Sequence, residues 1–335
     1  MDNLSLIEKL DQAVDTLLAN PGAPPSTADA EIDSLLRIAA ELRNLPREEF
    51  KSQLRQDLER KTTMAIEAKA VNRQSNTTTV NPIREGFRTV TPYIAVRQVH
   101  EVIEFVKNVF DAEGKIYGTG SEGGIHSEFR IGDSMLMIGG GEARRAKENP
   151  ACLHVYVENI DEVYERAVRA GATSLHAPAD QEYGERSAAF VDPGGNQWYP
   201  ATASGANYIA EGAQNLMPYL HPHGAAKQIE FLEQAFGAEE QFRHASPEGM
   251  IYHAKVRVGN SIVEMGEAHG QWQPVPAMFM MYVDDVDAWY ARALRAEGAV
   301  SESKPADQPY GDRVGAVKDP FDNIWYIATH IRDVV

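Results

Sequence analysis

The chain has 335 residues, 43% of them hydrophobic and 24% charged, with a formal net charge of −17. That is ordinary globular composition with material for two or three compact units. So acidic a balance argues against nucleic acid or an anionic membrane as partner, because neutralising phosphates needs a basic face. The start, MDNLSLIEKLDQ, has no basic n-region and no long apolar run. No stretch of about 18 uninterrupted apolar residues occurs, so a secretory signal, a lipid anchor and a transmembrane helix are not expected, and a cytoplasmic location is. The one cysteine, Cys152, has no intramolecular disulfide partner and reads as a small buried hydrophobe.

In chain order, residues 1–66 read as a helical segment. Leu4, Ile7, Leu10, Val14 and Leu17 recur at three- and four-residue spacing, NPGAPPST breaks the pattern, and AEIDSLLRIAAELRNL and LPREEFKSQLRQDLERKTTMA continue it. Residues 67–87 are polar and unpatterned and read as a linker. Two repeats follow, 88–203 and 214–330. TPYIAVRQVHEVIEFVKNVFDAE answers to MPYLHPHGAAKQIEFLEQAFGAE, and EYGERSAAFVDPGGNQWYPATA answers to PYGDRVGAVKDPFDNIWYIATH. A period this long means a duplicated domain rather than a solenoid. Each copy is itself doubled. A strand over 91–96, a helix over 98–110 and three strands ending near 140 precede a strand over 151–157, a helix over 160–171 and further strands ending near 203. Each domain thus reads as two βαβββ modules, α+β in class, with about eight strands around a cleft.

This plan, with PY at the opening, IEF on the first helix, the YV…D…Y.RA…GA segment, YGxR and the closing DPxxNxW, resembles the vicinal oxygen chelate superfamily of glyoxalases, bleomycin-resistance proteins and extradiol dioxygenases. The nearest likeness is to its PhnB-like branch. The resemblance spans both repeats and omits residues 1–87. It implies a cupped cavity and, in metal-dependent members, a divalent ion held by His and Glu from two modules. The last ligand position, usually Glu, is here Tyr199 and Tyr326. Counting along the repeats puts the first-strand position at Thr91 and Met217, and the second-module position at Cys152 and Met278. The standard site therefore reads as lost, and no cofactor is expected.

Other residues carry candidate chemistry. His126 and His253 occupy equivalent places on a middle strand and are candidates for general acid–base work. Arg186 and Arg313, in the two YGxR segments, suit either a carboxylate clamp or a structural ion pair with a neighbouring acid. Tyr93, His154, Tyr156, Trp198, Tyr199, Tyr219, Tyr282, Trp325 and Tyr326 lie on strands that this fold wraps around its cavity, where aromatic walls suit flat organic ligands. Only the second repeat adds His221 and Glu264 to its strand histidine, which leaves open a nonstandard divalent-metal site of His221, His253 and Glu264. The leading expectation is a protein that binds a small organic molecule. The alternatives are a metal-dependent lyase, isomerase or dioxygenase working in the second domain, and a ligand-sensing interaction protein. A homodimer, or a partner held through the N-terminal helices, stays open.

Overall fold

The computed structural model describes residues 80–119, 124–141 and 148–334. The expected N-terminal helices over 1–66 and the linker as far as residue 79 lie outside them. Four βαβββ modules follow one another. Module A contains β1 (Val90–Val96), α1 (Val99–Phe110), β2 (Glu113–Thr119), β3 (Ile125–Ile131) and β4 (Ser134–Gly140). Module B contains β5 (Cys152–Tyr156), α2 (Ile160–Arg169), β6 (Thr173–Gln181), β7 (Glu185–Val191) and β8 (Gln197–Ala203). Module C contains β9 (Leu216–Leu220), α3 (Ala225–Phe236), β10 (Glu239–Ala245), β11 (Ile251–Val258) and β12 (Ser261–Met265). Module D contains β13 (Met278–Tyr282), α4 (Val286–Ala293), β14 (Val300–Asp307), β15 (Asp312–Lys318) and β16 (Ile324–His330).

The helices form where the apolar spacing placed them. In α1, Val102, Ile103, Phe105, Val106, Val109 and Phe110 are buried on one face. Asn159 and Asp285 cap α2 and α4, their side chains accepting the amides of Glu162 and Ala288. In the strands, period-2 alternation separates a helix-covered face from a cleft face. On β5, Leu153 and Val155 join the helical core while His154 and Tyr156 face the other way.

Pairing across the sheets is not what the order of the repeats implies. Sheet I runs β14-β15-β16-β13-β1-β4-β3-β2, and sheet II runs β10-β11-β12-β9-β5-β8-β7-β6. Each sheet therefore joins one module from each repeat: A with D through antiparallel β1 and β13, and B with C through antiparallel β5 and β9. The hydrophobic cores follow the other grouping. Phe110 of α1 packs on Trp198 of β8 at 4.6 Å, and Phe236 of α3 on Trp325 of β16 at 5.0 Å, each within one repeat. A repeat is thus a unit of core, while a cleft is a property of both repeats together.

The repeated DPxxNxW segment is a clamp at the join between modules. Asp192 accepts the indole N–H of Trp198, the side-chain amide of Asn196 and the backbone amides of Gly194 and Asn196. Asn196 in turn accepts the amide of Ala151 just before β5. Asp319, Asn323, Trp325 and Ala277 repeat the arrangement before β13. Each of these buried polar groups is bonded within the segment or to the residue just before β5 or β13, so the repeated clamp is structural.

Candidate functional site

A short strap precedes each repeat and lies along its neighbouring cleft. In the first strap His330 at the end of β16 donates its amide to Pro82, and Phe87 donates to Arg84 across a turn containing Gly86 at φ +82°. The second strap docks in the same way, with Ala203 at the end of β8 donating to Tyr208, and Ala213 to Ala210 across Gly212 at φ +76°. The sequences IREGFRTV (83–90) and IAEGAQNL (209–216) are copies in which Arg84 and Phe87 answer to Ala210 and Ala213.

That substitution decides what fills each cleft. In cleft I the Arg84 guanidinium donates to both oxygens of Glu128, at 2.7 and 2.9 Å, and sits 4.7 Å over the Phe87 ring. It also donates to the hydroxyl of Tyr282, which donates to Asp312 at 2.7 Å. His126 joins through Nε2 to Glu128 at 3.3 Å and accepts from the Tyr93 hydroxyl at Nδ1, 3.1 Å away. Burial pushes the Glu128 carboxyl up, but His126 and Arg84 outweigh it and hold it at about 2. Phe87, Met137, Met280, Tyr282, Val314 and Ala328 close this cleft as a small apolar core of its own. Cleft I is filled by its own chain.

Cleft II has a different floor. His154 on β5 donates Nδ1–H to Oε2 of Glu264 on β12 at 2.5 Å, across the intervening β9. Glu264 is fully buried, and its Oε1 has no hydrogen-bond partner among the described residues. The Lys255 ammonium is 3.2 Å from that oxygen as an ion pair, and Nε2 of His253 is 3.9 Å away. Burial would raise the Glu264 pKa, but His154, His253 and Lys255 together hold it at about 2. Burial would lower His154, and the Glu264 charge more than reverses this. The ring of His253 is lowered by its burial. Tyr156, beside His154, donates to Glu185 at 2.5 Å. Tyr199, Tyr219, His221 and Trp272 form a run of ring contacts at one end.

The structure brings some expected residues together and separates others. His154, Tyr156, Tyr199, Tyr219 and His253 share cleft II, and Tyr93, His126, Tyr282 and Tyr326 share cleft I. Trp198 and Trp325 do not face a cleft: both are fully buried in the helix-covered cores, because they fall one residue out of phase with Tyr199 and Tyr326. Arg186 forms ion pairs with Asp161 and Asp180, and Arg313 with Asp287 and Asp307. Glu185 and Asp312, the nearer acids in sequence, turn instead to Tyr156 and Tyr282. Cys152 is buried, its thiol pushed up to about 12 by burial. Sequence reasoning missed Arg84. The signal for Arg84 was present in the IREGF and IAEGA copies.

The proposed set of His221, His253 and Glu264 does not assemble. His221 bonds Tyr199 through Nε2 at 3.1 Å and stacks on Trp272, while the histidine that reaches Glu264 is His154, two residues beyond Cys152 on the same face. A divalent ion of the kind the fold family uses does not fit these residues. Glu264 already holds one histidine N–H and a facing ammonium, and the matching positions in cleft I are Met137 and Met280. Among the described residues no group of three or more His, Cys, Asp or Glu side chains is placed to hold a metal ion. No helix among them is long and apolar enough to cross a membrane.

Comparison with known proteins agrees with this architecture. Glyoxalase I from Zea mays superposes with a TM-score of 0.57 at 12% identity, over 72% of this chain and 92% of that one. A putative dioxygenase from Bacillus subtilis gives 0.50 at 13% identity, over 72% and 85%. At such identities the likeness is one of fold. An uncharacterized protein of Mycobacterium bovis is 34% identical over 137 residues, covering 36% of this chain and 90% of the relative. A Mycobacterium tuberculosis counterpart gives the same identity over 80% of its length. The sequence model of the Glyoxalase/Bleomycin resistance protein/Dioxygenase superfamily matches residues 87–199 and 224–327, and with its four βαβββ modules in two shared sheets the chain belongs to that superfamily.

Proposed function

We propose that this is a PhnB-like, small-molecule-binding member of the superfamily that takes a flat organic ligand in cleft II, without a divalent ion on the family's ligand positions. One observation carries the reading. The second strap presents Ala210 and Ala213 where the first presents Arg84 and Phe87, and beneath it a buried carboxylate keeps one oxygen unbonded. The Lys255 ammonium neutralises that oxygen without hydrogen-bond geometry, and a donor on a bound ligand would supply the missing bond. The aromatic run of Tyr199, Tyr219 and Trp272 supplies walls for a planar body, and His253 is the residue placed for proton transfer if a reaction follows binding.

The reading is tested by screening a small-molecule library for thermal stabilisation of untagged wild-type chain and of an Ala213→Phe variant, with metal content measured in parallel. Compounds that stabilise the wild type and lose that effect in the variant are the expected result. One divalent ion per chain, lost in Glu264→Ala, would replace this reading with that of a metalloenzyme. Equal hits on both proteins would remove cleft II as the ligand cleft.

A further inference from the structure

Among the described residues, cleft II has two buried side-chain atoms without a hydrogen bond, and both are acceptors. The first is Oε1 of Glu264, a buried atom that lies beside Lys255 and His253, whose side chains are 24% and 28% exposed. Lys255 contributes charge there without hydrogen-bond geometry. The second is Nδ1 of His221, a residue only 8% exposed. The Tyr199 hydroxyl donates to Gln197 at 2.8 Å, so in its 3.1 Å contact with His221 the ring nitrogen Nε2 is the donor. Burial holds that ring neutral at ordinary pH, with its pKa lowered to about 4, which leaves the lone pair on Nδ1. Register pairs Glu264 with Tyr219, two residues before His221 on the same face of the chain, so the two acceptors flank the Tyr219 ring.

Cleft I shows what such a carboxylate receives in this protein. Glu128 takes two N–H groups from one planar group, the guanidinium of Arg84, lying over an aromatic ring. The cleft II counterparts of that strap residue and ring are alanines. Cleft I in turn has Met137 and Ala95 where cleft II has Glu264 and His221.

We infer that cleft II takes from solution what cleft I takes from its own chain: a flat molecule with an N–H or O–H edge, of the aromatic amide, arylamine or hydroxylated-ring class, its donors on Glu264 and His221 and its face on Tyr219. The inference rests on the reading of cleft II as the ligand cleft. Anions are disfavoured because both open positions are lone pairs. Cations are disfavoured because Lys255 and His154 already offset the Glu264 charge. Neutral donors remain.

The test uses 2-naphthamide and its near-isostere 2-naphthoate, titrated calorimetrically into the full chain, with far-UV circular dichroism as the check on folding. Naphthamide binds at least about tenfold tighter than naphthoate, a gap of roughly 1.4 kcal/mol. Glu264→Gln, which offers an N–H2 in place of a carboxylate oxygen, abolishes that preference, and His221→Phe weakens naphthamide while leaving naphthoate unchanged. Should Glu264→Gln fail to fold, the wild-type ratio and His221→Phe decide the matter alone. Naphthoate binding as tightly as naphthamide, or a preference that survives in His221→Phe and Glu264→Gln, overturns the donor inference and leaves ligand binding standing. If neither compound binds the wild type, the binding reading falls and takes the inference with it.

Discussion

Cleft I and cleft II have the same strands, the same strap and the same tyrosines, and differ at a few positions of opposite chemistry. In cleft I the cation comes from the strap and the anion from β3, as Arg84 and Glu128. In cleft II the cation is Lys255, at the β11 position matching Glu128, and the anion is Glu264, at the β12 position matching Met137. Moving the anion one strand inward brings it within reach of His154, and without a strap arginine its other oxygen has the Lys255 ion pair but no hydrogen bond among the described residues. Cleft II has its own small apolar cluster, Tyr156, Ala201, Met217 and Ile262 with Ile209, Ala210 and Ala213 of the strap, and what sets it apart is the loss of the strap cation. Because each sheet takes a module from either repeat, neither cleft belongs to one half of the chain, and a change in one repeat is felt in both clefts.

The most forceful way to break this comparison is Arg84→Ala. Glu128 is only 4% exposed and would lose its bidentate partner, so the expected loss is about 3–5 kcal/mol in urea unfolding, the usual cost of stranding a buried charge. The double variant Arg84→Met with Glu128→Met regains most of it, because no charge is then left buried. In cleft II, Ala210→Ser at the matching strap position changes little. A loss under about 1 kcal/mol for Arg84→Ala would mean that cleft I is not held shut by this pair.

Acid separates the clefts next. Burial lowers His221 to about 4, so between pH 6.5 and 4 the unfolded chain binds a proton that the folded chain does not, and stability falls as pH falls through that window. The loss is on the order of 3 kcal/mol from this group, and His253, also lowered, adds in the same direction. His221→Phe removes the larger part of that slope. Cleft I has Ala95 in its place. Below pH 4.5 both clefts weaken alike, because Glu128 and Glu264, each held at about 2, contribute stability above the ordinary carboxylate range that is lost as they take up protons. Denaturation midpoints from pH 7 to 4, wild type against His221→Phe, measure the difference. Parallel curves would show that His221 is not held neutral.

Much of this was legible in the sequence, and the illegible part has physical causes. The modules, their helices and the buried face of α1 follow from period and spacing, which are local. The pairing of A with D and B with C is not, since equivalent module edges offer the same backbone groups and only the three-dimensional closure selects among them. Strand parity explains the tryptophans. Trp198 sits opposite Leu153 in the β5–β8 register, and Leu153 belongs to the helix-covered core, so the neighbour of Tyr199 had to face away from the cleft. The pairing of Glu264 with His154 rather than His221 required the cross-repeat sheet and could not be counted out along one repeat. Arg84 was hidden differently: it lay in a segment read as linker because polarity alone does not distinguish a strap from a tether.

The smallest expected effect concerns the arginines that the comparison treats as equal. Arg186 reaches Asp161 at the first turn of α2 and Asp180 on β6, while Arg313 reaches Asp287 and Asp307 in the same way. Asp161 and Asp287 also lie at helix N-termini, where a carboxylate is already favoured by the macrodipole, so each keeps support when its arginine is removed. Exposed pairs of this kind are screened by water and salt. Arg186→Ala and Arg313→Ala are therefore expected to leave the thermal midpoint within the scatter of repeat measurements and naphthamide binding unchanged. A selective loss of binding in Arg186→Ala would put the ligand at the outer turn of β7 rather than over Glu264. That outcome would move the difference between the two clefts from their floors to their rims.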